Sequence, residues 1–213
     1  MPEREQREAQ AFCQEYGIRH IECETHELDI DTFRDNPTNR CYLCKNELYV
    51  KIAAVAATLD IAVIVEGSNT DDLNDYRPGL AVLEEQGIKS PLRDAGLSKN
   101  DIRALSRELG LSTWNKQSFA CLSSRFPYGD TISEEKLAMV DRAEQLLLDK
   151  GFTQVRVRIH GTLARIELPR ESFESFMRPA LLTEINDAFK TFGFTYVTLD
   201  IAGYRSGSMN EVL

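Results

Sequence analysis

Two periodicities alternate along the chain, and each change of period marks an element. Between Glu3 and Tyr16 the apolar positions Ala9, Phe12, Cys13 and Tyr16 recur at three- and four-residue steps. That spacing predicts an amphipathic helix, stopped at Gly17. Ile18 to Glu27 switches to alternation, with His20, Glu22 and Glu24 set against Ile21, Cys23 and Thr25, and reads as a strand. Thr38 or Asn39 is placed to cap a second helix running to about Leu59. Ile61–Val65 is a short unbroken apolar run, the pattern of a parallel strand covered on both faces. Ser98 caps a helix from about Lys99 to Leu109, with Gly110 as its C-terminal stop. This order of helices and strands is the rhythm of an α/β fold.

Beyond Gly129 the texture changes. Ser133 is a simple cap for a helix to about Lys150, closed by Gly151, with Glu144 on its length. Val155–His160 and Leu163–Leu168 each alternate strictly, and Gly161-Thr162 between them reads as a two-residue hairpin turn. That register sets Arg156 opposite Glu167, a satisfied pair, and Arg158 opposite Arg165. The second is a like-charge pair, unfavourable unless an anion sits there or the arginines splay into solvent. A further helix is expected from Arg170 to Phe192, then a strand from Phe194 to Leu199 and a polar tail, Gly203–Gly207. The pattern places one domain at 1–128 and a smaller α+β domain at 129–213.

Composition narrows the function classes. In 213 residues, 42% are hydrophobic, enough for real cores, and the formal net charge is −9. An acidic balance argues against a general nucleic-acid or anionic-membrane binder, because neutralising phosphates needs a basic surface. A local basic site is still allowed. No apolar run is long enough to span a bilayer. Met1-Pro2-Glu3-Arg4-Glu5 opens a charged helix and not an export segment. The five cysteines, an odd number and widely spread, therefore point to the cytoplasm, where thiols are ligands or nucleophiles more often than disulfide partners.

Chemistry concentrates in two stretches. Asn115–Gly129 has no clean period and holds Cys121, Ser123, Ser124 and Arg125 within five residues, with Pro127 and Gly129 stopping any helix. Arg125 can fork onto a phosphate or carboxylate, and positive charge favours the Cys121 thiolate. The alternative is an ordinary loop with a buried thiol. Cys41 and Cys44 form a CxxC one turn apart at a helix N-terminus, where partial positive charge stabilises thiolates. The pair could ligate metal, run dithiol redox chemistry or simply pack. No second CxxC follows to complete a zinc site. Adding Cys121 gives three thiolates, a count suited to a 4Fe–4S cluster with one open iron, provided that Cys13 and Cys23 belong to the core. Gly67 and Asn69 follow the Ile61–Val65 run, where open α/β sheets bind ligands, or they form a plain polar turn. His20 and His26 are isolated histidines and read as solvated before they read as metal ligands.

Four segments, Gly67–Gly79, Trp114–Gly129, Val155–Pro169 and Tyr196–Asn210, resemble the LarE family, most strongly in NDYRPGL, SSRFPYG, VRVRIH…ARIELP and YVTLDIAGYRSG. The resemblance covers almost the whole chain. It implies a PP-loop pyrophosphatase fold and an ATP-dependent sulfurtransferase of nickel-pincer cofactor synthesis, the cofactor of lactate racemase. Such an enzyme uses Mg²⁺ and ATP to adenylylate a carboxylate of a pyridinium-dicarboxylate mononucleotide, then exchanges the adenylate for sulfur. It also implies the cluster type of member, with Cys41, Cys44 and Cys121 as iron ligands and an extra sulfide on the cluster, because Ala120 stands where other members place a sacrificial cysteine. Ser124, Arg125, Glu144, Arg156, Arg158 and Glu167 match the family's anion and substrate site. The resemblance implies that Cys121, Arg125 and Glu144 carry the chemistry and that Gly67 contacts the nucleotide, with Asn69 beside it as a further nucleotide-binding candidate. Homo-oligomers built on trimers are implied as well.

One departure bears on activity. The family's Ser-Gly-Gly-Val-Asp-Ser type loop, which holds the ATP pyrophosphate, occurs nowhere in this sequence. The expectation is an incomplete PP-loop sheet with apolar edges exposed, reduced stability and weak or absent ATP turnover. Two alternatives stay open: a PP-loop enzyme that thiolates RNA bases, and a non-catalytic cluster- or anion-binding remnant.

Overall fold

The computed structural model describes residues 2–74, 78–117, 120–205 and 207–212. Asp75–Arg77, Ser118, Phe119 and Ser206, all inside the motifs above, lie outside the described residues. The chain divides into two compact units, Glu3–Phe33 with Pro37–Lys116, and Arg34–Asn36 with Gln117–Leu213. The join near Lys116 falls earlier than the change of texture at 128.

In the N-terminal unit, α1 (Glu3–Glu15) and α2 (Arg40–Thr58) are the long helices, followed by α3 (Ala81–Glu85), α4 (Pro91–Asp94) and α5 (Lys99–Glu108). Helix α5 begins on a full capping box: Ser98 accepts from the Asp101 backbone while Asp101 accepts from the Ser98 backbone. Asn39 stands at the cap position of α2, but its side chain makes no capping bond. The core joins Tyr49 of α2 to Val82, Leu83 and Ile88, with Tyr42, Ile52, Ile64 and Leu80 around them.

Two strand expectations fail here. Ile18–His26 joins no ladder among the described residues. Its polar positions turn instead to the flanking helices, with Gln6 donating to Glu22 at 3.0 Å and Lys51 donating to the Glu24 carbonyl at 3.0 Å. The Ile61–Val65 run is extended, but its only ladder contact among the described residues is a parallel bridge between Val65 and Lys89. Ile61, Val63 and Val65 are 51%, 61% and 58% exposed, so one of the two faces expected to be covered is open.

The C-terminal unit is α+β. Helix α6 (Glu134–Asp149) is followed by β1 (Arg156–His160), β2 (Leu163–Glu167), α7 (Phe173–Phe176), α8 (Pro179–Phe192) and β3 (Tyr196–Leu199). Ser133 accepts from the Lys136 backbone and caps α6, as its position indicates. The sheet order is β1-β2-β3, with β1 and β2 antiparallel and β3 parallel to β2. The hairpin register is the one read from the alternation: Arg156 faces Glu167 and Arg158 faces Arg165. Helix 170–192 is interrupted. Arg178 is extended because the residue before a proline avoids helical geometry, and Pro179 starts α8 at its first position. Val157 and Ile159 on one face of β1 are buried, as are Met139, Val140, Ala143 and Leu147 of α6 and Ile185 and Phe189 of α8. Among the described residues no helix is long and apolar enough to cross a membrane.

Candidate active site around the Cys121 loop

The other face of β1 carries Arg156 and Arg158, and it is not solvated: they are 5% and 7% exposed. Cys121 stands just before a turn of 3-10 helix, Leu122–Arg125, and is exposed. Within that turn Ser124 Oγ donates to the Cys121 carbonyl at 2.7 Å. Arg125 then folds back over the turn and is 1% exposed. Its Nε and Nη2 donate to the two oxygens of Glu144 at 2.7 and 2.8 Å, a bidentate fork. Its Nη1 donates to the carbonyls of Ala120 at 2.9 Å and Cys121 at 3.2 Å and to Ser124 Oγ at 2.8 Å. Glu144, wholly buried on α6, also accepts from the Val157 backbone at 2.9 Å.

A second fork lies alongside. Arg158 Nε and Nη2 each donate to Glu167 at 3.0 Å, and Nη1 donates to the Ser124 carbonyl at 2.6 Å. Ser208, on the turn Ser208–Val212, accepts from Arg158 Nη2 at 2.9 Å and lies 3.4 and 3.5 Å from the Glu167 oxygens. Arg165 donates to Glu167 at 3.2 Å and to Asp200 at 3.1 Å. The anion demanded by the Arg158–Arg165 pair is therefore supplied by the protein. Glu167 lies opposite Arg156 in register, yet its carboxylate takes Arg158 and Arg165, its diagonal and same-strand neighbours. Arg156 donates to the Val155 carbonyl at 2.7 Å and stacks over Tyr204 at 5.3 Å. Burial, reinforced by the Arg125 charge, draws its guanidinium below the ordinary value.

The expected residues Cys121, Ser124, Arg125, Glu144, Arg156, Arg158 and Glu167 thus come together in one unit. Sequence reading missed Ser208, Tyr204 and Asp200, which complete the network. Their signal lay in the polar Asp200–Ser208 segment, where glycines at φ 75° and 76°, Gly203 and Gly207, turn the backbone.

The remaining candidates belong to the N-terminal unit. Cys41 and Cys44 lie one turn apart at the N-terminal end of α2, with Cys41 exposed and Cys44 half-buried. The Gly79 backbone packs on that turn: a Cβ there would lie 2.8 Å from Lys45 Cδ and 3.1 Å from the Cys41 carbonyl. This explains the glycine of NDYRPGL. Gly67 is exposed, and Asn69 builds its own turn by accepting from Asp71 N at 3.0 Å. Beside them, burial raises the Glu66 carboxyl, but hydrogen bonds from Ser90 and Ser68 and the Lys45 charge outweigh it and leave the group below its usual value. His20 and His26 lie near Glu22 and Glu24 at 3.9 and 4.0 Å, and among the described residues neither pair has a third ligand grouped with it.

No disulfide joins any of the five cysteines. Cys13 is half-buried and Cys23 exposed, so Cys23 is not the core residue expected. Among the described residues no three His, Cys, Asp or Glu side chains stand grouped as a metal site. As donor types, the exposed Cys41 and Cys121 and the half-buried Cys44 are thiols suited to an iron–sulfur cluster.

No family model matches the chain. Individual proteins do. The pyridinium-3,5-bisthiocarboxylic acid mononucleotide synthase of Lactiplantibacillus plantarum is 41% identical over 186 residues, 87% of this chain and 67% of that enzyme. The chain belongs to the LarE family. An uncharacterized protein of Synechocystis sp. is 46% identical over 213 residues, all of this chain and 79% of the relative. An uncharacterized protein of Methanocaldococcus jannaschii is 33% identical over 179 residues, 84% of this chain and 69% of the relative.

Proposed function

We propose that this LarE-family chain is a sulfurtransferase that inserts sulfur into an adenylylated pyridinium-dicarboxylate mononucleotide, as a step of nickel-pincer cofactor synthesis. The observation that carries this reading is the 41% identity with a pyridinium-3,5-bisthiocarboxylic acid mononucleotide synthase across 87% of the chain. In the reaction the substrate's acyl carbon gains sulfur and loses AMP, giving a thiocarboxylate. ATP and Mg²⁺ would be needed for the preceding adenylylation, with Gly67 and Asn69 on the nucleotide.

Cys41, Cys44 and Cys121 would hold a 4Fe–4S cluster as thiolates, and the cluster would supply the transferable sulfur. The surplus positive charge of the arginine-rich face of β1 and β2, centred on Arg156, answers the substrate's anionic groups, with Arg125 and Arg158 framing that face. Arg125, Arg156, Arg158 and Arg165 face three carboxylates, Glu144, Glu167 and Asp200, which leaves one net positive charge among these groups. Ser124 offers a hydroxyl at the edge of that face. The setting is a cytoplasmic homo-oligomer acting on a small nucleotide and not on nucleic acid.

The test supplies pre-adenylylated substrate and a sulfide source under anaerobic conditions, and reads thiocarboxylate product by mass spectrometry. Product from the native chain and none from Cys121→Ala supports the reading. Equal product from both, or a salt-dependent shift of transfer RNA with no product, overturns it.

A further inference from the structure

The geometry points to Arg125 and Arg158 as positioning residues that clamp the backbone of the Cys121 loop, with Ser208 as the support that ties the C-terminal turn to the clamp. That Cys121 is worth positioning rests on the function proposed above. The clamp itself rests on contacts.

A loop held by a single 3-10 turn satisfies few of its backbone carbonyls internally, and the rest must find donors elsewhere or stay with water. Three carbonyls of this loop find arginine: those of Ala120 and Cys121 meet Arg125 Nη1, and that of Ser124 meets Arg158 Nη1. Each guanidinium is anchored from behind by a two-point fork onto a buried carboxylate on a regular element. Glu144 lies on α6 and Glu167 on β2. Glu144 is in turn fixed by the Val157 backbone of β1. The chain of contacts therefore runs from helix and sheet, through carboxylate and guanidinium, to the two peptide groups on either side of Cys121. An arginine whose fork is spent on a buried carboxylate, and whose remaining nitrogen is spent on a carbonyl, is built to hold the protein. Ser208 bridges Arg158 and Glu167 from 50 residues along the chain, so the C-terminal turn buttresses the second arm of the clamp.

Hydrogen–deuterium exchange of the full chain tests this, in Arg158→Gln, Arg158→Lys and Ser208→Ala. The amides of Ser124 and Phe126, bonded to the carbonyls of Cys121 and Ser123, report on the loop. With Arg158→Gln we expect exchange of the 121–126 segment to rise about tenfold, the ratio that a lost hydrogen bond to a charged group corresponds to. Arg158→Lys restores part of the protection, Ser208→Ala loosens the loop by a smaller factor, and α6 stays protected in all three. Unchanged exchange at 121–126 in Arg158→Gln, or loss of protection spread evenly over α6 and the sheet, overturns the clamp. In a sulfur-transfer assay a clamp lowers kcat with KM for the nucleotide unchanged, whereas a rise in KM alone would assign Arg158 to the substrate instead. If Cys121→Ala still transfers sulfur, the proposed function fails while the exchange result stands.

Discussion

Replacing Glu144 by glutamine keeps the shape of the side chain and removes its charge. The carboxylate is wholly buried and accepts three hydrogen bonds, two from Arg125 at 2.7 and 2.8 Å and one from Val157 N at 2.9 Å. Glutamine keeps one oxygen acceptor, and its amide meets a guanidinium with two donors face to face. Arg125, 1% exposed, is left with an uncompensated buried charge. Breaking a buried pair from one side costs about 3–5 kcal/mol. For a unit of this size each kcal/mol moves Tm by about 4–8 °C, so the C-terminal unit should melt about 12–40 °C lower. The double variant Arg125→Met with Glu144→Leu removes both charges and should recover much of that loss. It does not recover all, because the Ala120 carbonyl loses its Arg125 donor, at about 1 kcal/mol, whereas the Cys121 carbonyl keeps Ser124. Urea titration followed by the fluorescence of reporters in the C-terminal unit measures all three proteins. A Glu144→Gln cost below about 1 kcal/mol, or a double variant no better than the single, would refute a buried, charge-coupled fork.

Three further changes probe the scaffold. Gly203→Ala should cost about 1–2 kcal/mol by thermal melting, because φ is 75° and the new Cβ would meet the Leu168 carbonyl at 3.0 Å and Arg170 Cγ at 3.1 Å. Ser98→Ala removes one arm of the capping box on α5 and should cost about 1 kcal/mol in the N-terminal unit, visible as faster amide exchange in the first turn. His160 is held below its ordinary value of 6.5 by burial and then by the Arg165 charge, so the folded chain favours the neutral ring and the unfolded chain binds more protons. Its contribution is present above the ordinary value of 6.5 and is lost as pH falls from there through the lower folded value. Tm should fall across that window, and His160→Gln should flatten the slope; an unchanged slope would remove the ring from the pH dependence.

What the sequence disclosed and what it concealed divide along a physical line. Strict alternation on both sides of Gly161-Thr162 fixed which residues face each other, because a one-residue slip would have turned Val157 and Ile159 to the wrong side. Caps and glycine stops were legible because they are local: Ser98, Ser133, Gly110 and Gly151 act within a few residues. The pairing of charges was not local. Arg125 reaches Glu144 across 19 residues and Arg158 reaches Ser208 across 50, and only the fold brings them together. Glu167 had three arginines within reach on one face, and register alone could not say which would fork onto it. Alternation in Ile18–Glu27 misled because alternation needs a ladder partner to become a strand. The helix expected over 170–192 broke at Arg178, although Pro179 announced it.

The account turns on whether Cys121 and the CxxC act as one thiolate set. Anaerobic reconstitution with iron and sulfide, read by charge-transfer absorbance and iron content, measures this directly, with Cys121→Ala as the comparison. The account predicts about four irons per chain in the native protein and their loss in the variant. No cluster, or an equal cluster without Cys121, would contradict it.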